Sequence, residues 1–421
     1  MPGGGTKTAI TTSSARCLDL TRLISRVGRG PLTGVDRVEM AYLTHLLQDH
    51  APFFVLARTG LGYVLLDRHG AAQIAERLQG HTPWGRVDVV GRLSFKASPA
   101  KRRAEADLRR FSIGRCRRGR LGQLLDRQLP HDATYLNVGH SNLTKEVLGA
   151  LKGAGAKIAI LIHDTIPLDH PRFQRRGTPA QFEEKLRRVA RYADLVICNS
   201  GQTQDDVRRW CGQWGVQVNT LVAHLGIDLP KPTTRALPEG IDPTHPYFVT
   251  LGTIEPRKNH ALLLDVWESL AQDIPPAELP HLYILGARGW ENEEVFQRLD
   301  HSALVGNSVF ELSNLPDMTV SALMTQATAV LFPGFAEGYG LPPAEAISLG
   351  TPVICSDLAV FREVLGNIPV YLKPDDVYSW KQSIIGSTQR NQAGQHRTSE
   401  EPSDFTLPNW ADHFNLVLRE M

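Results

Sequence analysis

The chain is short of cysteine, of long apolar runs and of net charge, and each shortage excludes something. Its five cysteines, at positions 17, 116, 198, 211 and 355, form no CxxC and show no metal-ligand spacing. That argues against a disulfide framework and for a reducing compartment. No segment approaches a membrane span, and residues 1–16 lack the apolar stretch of a secretory signal. The expectation is therefore a cytoplasmic protein, attached at most to a membrane surface. The net charge of +2 over 421 residues points to no particular partner. No Gly-x-Gly-x-x-Gly follows a strand, which weakens the case for a nicotinamide-dependent oxidoreductase. What is present is a globular composition, 42% hydrophobic and 21% charged, in a chain long enough for two cores.

Short apolar runs at 53–57, 158–162, 195–198, 248–251, 282–285, 329–333 and 353–355 read as buried strands, and helical periodicities lie between them. Such alternation predicts doubly wound α/β domains. Five prolines and few apolar residues mark 229–246 as a linker. The expected organisation is an N-terminal domain over 1–235, a second over 236–400 and a terminal segment over 401–421. Residues 386–403 read as a flexible loop and 410–421 as an amphipathic helix, and there is no internal repeat.

Two segments carry chemistry. In Glu337-Gly-Tyr-Gly-Leu-Pro-Pro-Ala-Glu345, two carboxylates flank a glycine loop that runs from a strand into a helix beginning at Pro342 or Pro343 and ending at Gly350. Free backbone N–H groups near Gly340 and Leu341 would face an anion. Glu345, placed in the first turn, suits neutral hydroxyls such as those of a ribose, and Glu337 suits the hydroxyls of a sugar. The helix dipole alone also favours a glutamate there, and glycine and proline are ordinary helix punctuation. In Gly252-Thr-Ile-Glu-Pro-Arg-Lys-Asn259, a strand and a glycine precede two cations just ahead of a helix over 261–270 with Asn259 as its N-cap. Two cations oppose a helix dipole unless an anion of greater charge lies between them, and a diphosphate fits. The ordinary alternative is a solvated basic pair.

These two segments, together with Gly350-Thr-Pro-Val-Ile354 and Leu282-Tyr-Ile-Leu-Gly286, closely resemble the group 1 (family 4) retaining glycosyltransferases. The likeness runs through the C-terminal half and is patchier before it, at Thr33-Gly-Val-Asp-Arg-Val38, Ile162-His-Asp-Thr-Ile-Pro167, Ala193-Asp-Leu-Val-Ile-Cys-Asn-Ser200 and Leu225-Gly-Ile-Asp228. It implies a GT-B fold, two Rossmann-like domains facing across a cleft, with the terminal helix crossing back to the first. It implies that Arg257 and Lys258 contact the donor diphosphate, Glu345 the nucleotide ribose and Glu337 the transferred sugar. Gly252, Gly340, Leu341 and Gly34 would complete the donor site. His163, at a strand end where ligands gather in open sheets, would stand in the cleft beside the sugar and acceptor. A histidine that simply caps the strand end is the alternative. Gly334 departs from the family, where serine is common.

The implied activity is transfer of a hexose, mannose or similar, from a nucleotide-diphosphate sugar to a saccharide or lipid-linked saccharide in lipopolysaccharide or exopolysaccharide assembly. GDP-mannose is the donor expected by family likeness. No Asp-x-Asp occurs, so no metal and no cofactor is expected. The alternative from another class is a catalytically silent sugar-nucleotide-binding or membrane-surface scaffold. Residues 101–120 hold nine basic side chains against Glu105 and Asp107, interleaved with Leu108, Phe111 and Ile113. That segment is expected either to lie on an anionic membrane or to be a solvated basic stretch. Nucleic acid is not expected as a partner, because the segment has one aromatic residue and matches no recognised module.

Overall fold

The computed structural model describes residues 15–92, 97–227, 237–238, 241–242, 244–393 and 406–421. Most of the expected linker and the greater part of the 386–403 loop lie outside the described residues.

The first sheet contains β1 Arg16–Asp19, β2 Phe53–Thr59, β3 Gly62–Asp67, β4 Gly114–Cys116, β5 Thr134–Asn137, β6 Lys157–Ile162, β7 Leu195–Cys198 and β8 Thr220–Val222, in the order β4-β3-β2-β1-β5-β6-β7-β8. The β3 and β4 strands run antiparallel to their neighbours and make one edge of an otherwise parallel sheet. The second sheet contains β9 Tyr247–Leu251, β10 His281–Leu285, β11 Val309–Leu312, β12 Ala329–Phe332, β13 Val353–Ser356 and β14 Val370–Leu372, in the order β11-β10-β9-β12-β13-β14, all parallel. Helices cover both faces, so the central strands are buried on both sides. Every residue of β1, β5, β7, β12 and β13 is buried.

In the second sheet the chain starts at β9, winds outward through β10 and β11, and returns to the other side of β9 at β12. The crevice at this reversal lies beyond the carboxyl ends of β9 and β12, where ligands collect in open α/β sheets. Both chemistry-bearing segments leave the sheet there.

One expectation is corrected. Residues 386–392 continue a helix, Val377–Gln392, rather than open a loop. Trp380, Ile384 and Ser387 recur at helical spacing and are buried, so packing overrides a polar local composition. The last helix, Trp410–Arg419, packs on the first domain. Phe414 stacks on His45 at 3.8 Å between ring centres. His413 Nδ1 lies 3.0 Å from the carbonyl of His224 and Nε2 lies 2.7 Å from the Tyr42 hydroxyl. A carbonyl only accepts, so Nδ1 carries the proton and Nε2 accepts from Tyr42. The backbone of Gly226 touches this helix, and a Cβ there would fall 2.2 Å from the Trp410 nitrogen.

Burial lowers the pKa of His413 to about 4, that of His163 to about 4 and that of His260 to about 3. Unfolded histidines titrate near 6.5, so between about pH 6.5 and 4 the unfolded chain binds protons that the fold does not. Stability is therefore expected to fall as pH drops through that window, by on the order of 1 kcal/mol per pH unit for each histidine. Urea unfolding at pH 7 and pH 5 checks this: a lower midpoint at pH 5 is expected, and equal midpoints would contradict it.

Candidate donor site

The two loops beyond β9 and β12 meet around one carboxylate. After β9 the chain passes Gly252 (φ +130°) and forms a 3-10 turn, Pro256–Lys258. Lys258 lies over Gly252, where a Cβ would come within 3.2 Å of its Cε. Gly286 is needed beside it, because a Cβ there would overlap the Gly252 carbonyl at 1.9 Å. Lys258 Nζ donates to Glu337 Oε1 at 2.7 Å, and Arg257 donates to Glu337 Oε2 at 2.9 Å and to the Ala336 carbonyl at 2.6 Å. Arg257 also grips Glu255 through Nε and a terminal nitrogen. Most of the guanidinium is thus engaged within the protein, and Lys258 keeps more donor capacity for a ligand.

Glu337 is buried, which disfavours its charge, but Arg257 and Lys258 more than offset this and hold its pKa below the usual glutamate value. Arg257 is correspondingly raised despite its own burial, by Glu337 and Glu255. The site therefore contains two carboxylates, Glu337 and Glu255, and two cations in one ion-paired cluster. Gly334, the departure from the family pattern, sits against this cluster. A Cβ there would lie 3.1 Å from Glu337 Oε1, so the missing side chain leaves that oxygen uncrowded.

Two local readings are corrected. Asn259 is not a side-chain N-cap for the helix His260–Asp273. It adopts a left-handed conformation (φ 56°), and its amide donates to the carbonyls of Pro333 and Pro374 at 3.0 and 2.7 Å, tying this turn to the loop after β12. The helix after β12 spans Leu341–Ser348, earlier than Pro342 or Pro343, which moves Glu345 out of its first turn. Gly340, at φ +108°, supplies the left-handed cap, and a Cβ there would press on the Phe361 ring at 2.9 Å. Leu341 opens the helix and faces Gly34 of the first domain, where a Cβ would lie 3.7 Å from Leu341 Cδ1.

Glu345 is buried, and Arg37, on the helix Gly34–Gln48 of the first domain, donates to its Oε1 across the cleft at 2.6 Å. Burial raises the Glu345 pKa and Arg37 opposes the rise. Sequence reasoning quoted Arg37 within a landmark segment and gave it no role. A charged residue three after a helix-opening glycine was the only signal for it. A cavity of about 420 Å³ opens beside Arg37, Leu341 and Glu345, and a second, of about 230 Å³, beside Asp164 and Glu337.

His163 follows β6 directly and is buried. Its Nε2 lies 2.7 Å from the Val138 carbonyl, so Nε2 carries the proton and Nδ1 holds the lone pair. With a pKa lowered to about 4 by burial, the ring is neutral at pH 7. Its backbone carbonyl accepts from the Asn199 amide at 2.8 Å. The backbone of His163 and the side chain of Asp164 meet Gly338, next to Glu337, where a Cβ would lie 3.0 Å from both the His163 carbonyl and Asp164 Oδ2, while the His163 ring itself lies against His140. The backbone of the first domain rests on the glycine loop of the second. Among the described residues no cluster of three or more His, Cys, Asp or Glu side chains is arranged to hold a metal.

Residues 101–120 are not one basic face. In the helix Pro99–Phe111, Leu108 is fully buried, and Arg109 is nearly so, in a bidentate pair with Asp88. Arg110 pairs with Asp107.

Residues 236–385 match the family model described as Glycosyl transferases group 1. That stretch, the greater part of the second domain, is a group 1 glycosyltransferase domain. It is 32% identical over 292 residues to the serotype-specific mannosyltransferase WbdA of Escherichia coli, covering 65% of this chain and 34% of that one. It is 35% identical over 240 residues to the O-antigen chain mannosyltransferase B of Escherichia coli, covering 54% of this chain and 60% of that one. It therefore spans about a third of the first relative and under two thirds of the second. Among solved structures, HepE of Anabaena in complex with UDP-glucose aligns with a TM-score of 0.58 at 15% identity, covering 96% of this chain and 97% of that one. Sucrose-phosphate synthase from Thermosynechococcus elongatus aligns at 0.58 and 16%, covering 97% and 96%. At such identities the likeness is one of fold, and that fold is GT-B.

Glu337→Gln removes the charge that both cations share. It is expected to cost about 3 kcal/mol of unfolding free energy at neutral pH, since the largely buried Lys258 loses its carboxylate partner and Arg257 keeps only Glu255. The wild-type contribution is full above the ordinary glutamate value of about 4.3 and is lost as pH falls through the lower folded value. Urea unfolding of both proteins from pH 7 to pH 3 checks this: the gap between them should close at the acid end. Gly338→Ala is expected to force the domains apart, and small-angle scattering should show a larger radius of gyration at unchanged secondary structure.

Proposed function

We propose that the protein transfers a hexose, with retention of configuration and without a metal, from a nucleotide-diphosphate sugar to a saccharide or lipid-linked saccharide acceptor. The observation that carries this reading is the convergence of Arg257, Lys258 and Glu337 at the reversal point of the second sheet, with the start of the helix Leu341–Ser348 beside them. A leaving diphosphate develops negative charge, and two preorganised cations and a helix N-terminus stabilise it without reorganising. The diphosphate competes with Glu337 for Lys258 and Arg257, which releases the carboxylate toward the hydroxyls of the sugar. Ribose hydroxyls compete with Arg37 for Glu345 in the same way.

Glu337 is not assigned as a nucleophile. A carboxylate held by two cations is a poor one, and a hydrolase-type double displacement needs an acid/base partner set beside it. Attack by the acceptor on the face from which the diphosphate leaves suits the arrangement better. His163, neutral and with Nδ1 as its lone-pair nitrogen, orients a hydroxyl in the cleft. Contact between the domains excludes water, which would otherwise hydrolyse the donor.

The names of the relatives, a serotype-specific and an O-antigen chain mannosyltransferase, support mannose as the sugar and lipopolysaccharide assembly as the setting. GDP-mannose is accordingly the first donor to test. Among the described residues no helix is long and apolar enough to cross a membrane. We place the protein at the inner face of the plasma membrane because a lipid-linked acceptor would be presented there.

Thermal-shift titration with nucleoside diphosphates and sugar nucleotides, without added metal, tests the donor site. A guanosine nucleotide is expected to stabilise the wild type and to lose its effect in Arg257→Ala/Lys258→Ala. Glu337→Gln is expected to bind the free diphosphate several-fold more tightly than the wild type does. Absence of any shift at millimolar ligand would overturn the donor reading. Donor binding without turnover on any acceptor would favour the scaffold alternative.

A further inference from the structure

Away from the cleft, at the free edge of the first sheet, a second positively charged site is built from arginines that the donor reading leaves unused. The chain leaves β4, makes a 3-10 turn at Arg118–Arg120 and enters the helix Leu121–Gln128. Between them lies a hollow of about 620 Å³ lined by Arg115, Arg117, Arg120 and Arg127, with Gln123 and Gln128 among its other polar groups. No carboxylate lines it. Asp126, on the same helix, lies outside the lining.

The four arginines are exposed, and among the described residues none of them shows an ion pair. Other guanidinium groups of the same domain are matched, Arg77 to Asp107 and Arg109 to Asp88 among them. Four like charges around one concavity repel each other unless an anion enters it.

The rim is apolar. Leu61, in the turn between β2 and β3, is 62% exposed, and Ile113, just before β4, is 39% exposed. The Leu61 turn is bound closely to the basic stretch, since a Cβ on Gly62 would fall 2.0 Å from the Cys116 carbonyl and 2.9 Å from Arg117 Cα. Exposed aliphatic tips beside an arginine hollow fit a surface that is anionic at its face and apolar just beneath, which a nucleic acid or an acidic peptide is not.

We propose that this hollow takes the phosphoryl headgroup of an anionic lipid, with Leu61 and Ile113 entering the interface, and so docks the first domain on a bilayer. The site is narrower than the basic segment 101–120: it takes Arg115, Arg117 and Arg120 from beyond the helix Pro99–Phe111 and adds Arg127, whereas Arg109 and Arg110 of that helix pair with Asp88 and Asp107. The inference does not depend on the identity of the donor. Guanidinium groups recognise phosphate oxygens by paired hydrogen bonds, and each basic side chain at an anionic surface contributes about 1 kcal/mol.

The test is co-sedimentation with vesicles of phosphatidylglycerol and phosphatidylcholine against phosphatidylcholine alone. The wild type is expected to bind the anionic vesicles, less so at high salt. Arg115→Gln/Arg117→Gln/Arg120→Gln should weaken that binding at least about tenfold while keeping its circular dichroism and its thermal shift with nucleotide. A control with the same charge change, Arg187→Gln/Arg188→Gln/Arg191→Gln on the helix Thr178–Tyr192, should bind like the wild type, and Leu61→Ser should weaken binding without any change in charge. Equal binding to both vesicle types, or equal losses in the two triple variants, would overturn the proposal. So would saturable binding of inorganic pyrophosphate or of a single-stranded oligonucleotide that requires these arginines while anionic vesicles are ignored.

Discussion

Two cations of the second domain converge on one buried carboxylate, and the remainder of the cleft is arranged around that contact. Arg257 and Lys258 leave the sheet on one loop and Glu337 on another, so their pairing fixes the distance between the ends of β9 and β12. A buried charge left alone is expensive, and this cluster resolves the problem by holding opposite charges within hydrogen-bond distance. The arrangement is matched in sign and also exchangeable, because any ligand that presents a diphosphate to the cations and hydroxyls to the carboxylate replaces each contact with an equivalent one. Ligand entry then needs no new charge to be buried without a partner.

The same logic operates between the domains. Glu363, from the second domain, accepts backbone N–H groups of Gly201 and Gln202 at 2.6 and 3.1 Å, at the start of the helix Gly201–Gln213 in the first, and also pairs with His224. A carboxylate at a helix N-terminus satisfies donors that no intrahelical carbonyl reaches. Tyr339 donates to the Leu225 carbonyl at 2.8 Å, and Phe173 stacks on Phe335 at 5.4 Å between ring centres. These polar and aromatic contacts accompany apolar ones, since buried residues of both domains and of the last helix form one continuous cluster. Arg37 and Glu345 belong to the set, so the group expected to hold a ribose also holds the first domain. Donor binding and domain position are coupled through that glutamate.

The arginine hollow lies at the opposite edge of the first domain, on the edge strand β4, which pairs antiparallel with β3. An edge strand needs protection from pairing with other chains, and charge provides it. Protection alone would be served by scattered charges of either sign. A concave set of one sign beside exposed aliphatic tips adds recognition to protection, and the strand is short enough to leave that surface open.

Much of the second domain was legible in the sequence because its determinants are local. A buried parallel strand reads as an apolar run, a glycine loop reads as glycines, and Glu337, Arg257 and Lys258 lie within a few residues of the strand ends that position them. The strands β1, β3, β4, β5, β8, β11 and β14 were not read from the sequence; most are short or partly polar, and pairing with neighbours rather than composition makes them strands. The helical extension through Gln392 was missed for a similar reason: its apolar positions matter only once a helix from elsewhere in the chain covers them. By itself the sequence determined the class of fold, the order of its elements and the residue types available at each loop. Tertiary structure alone decided which charges meet. That Glu337 binds both cations, that Arg37 crosses the cleft to Glu345, and that Arg109 is spent internally while Arg115, Arg117 and Arg120 are not, all depend on partners distant in the chain, whose proximity only packing creates.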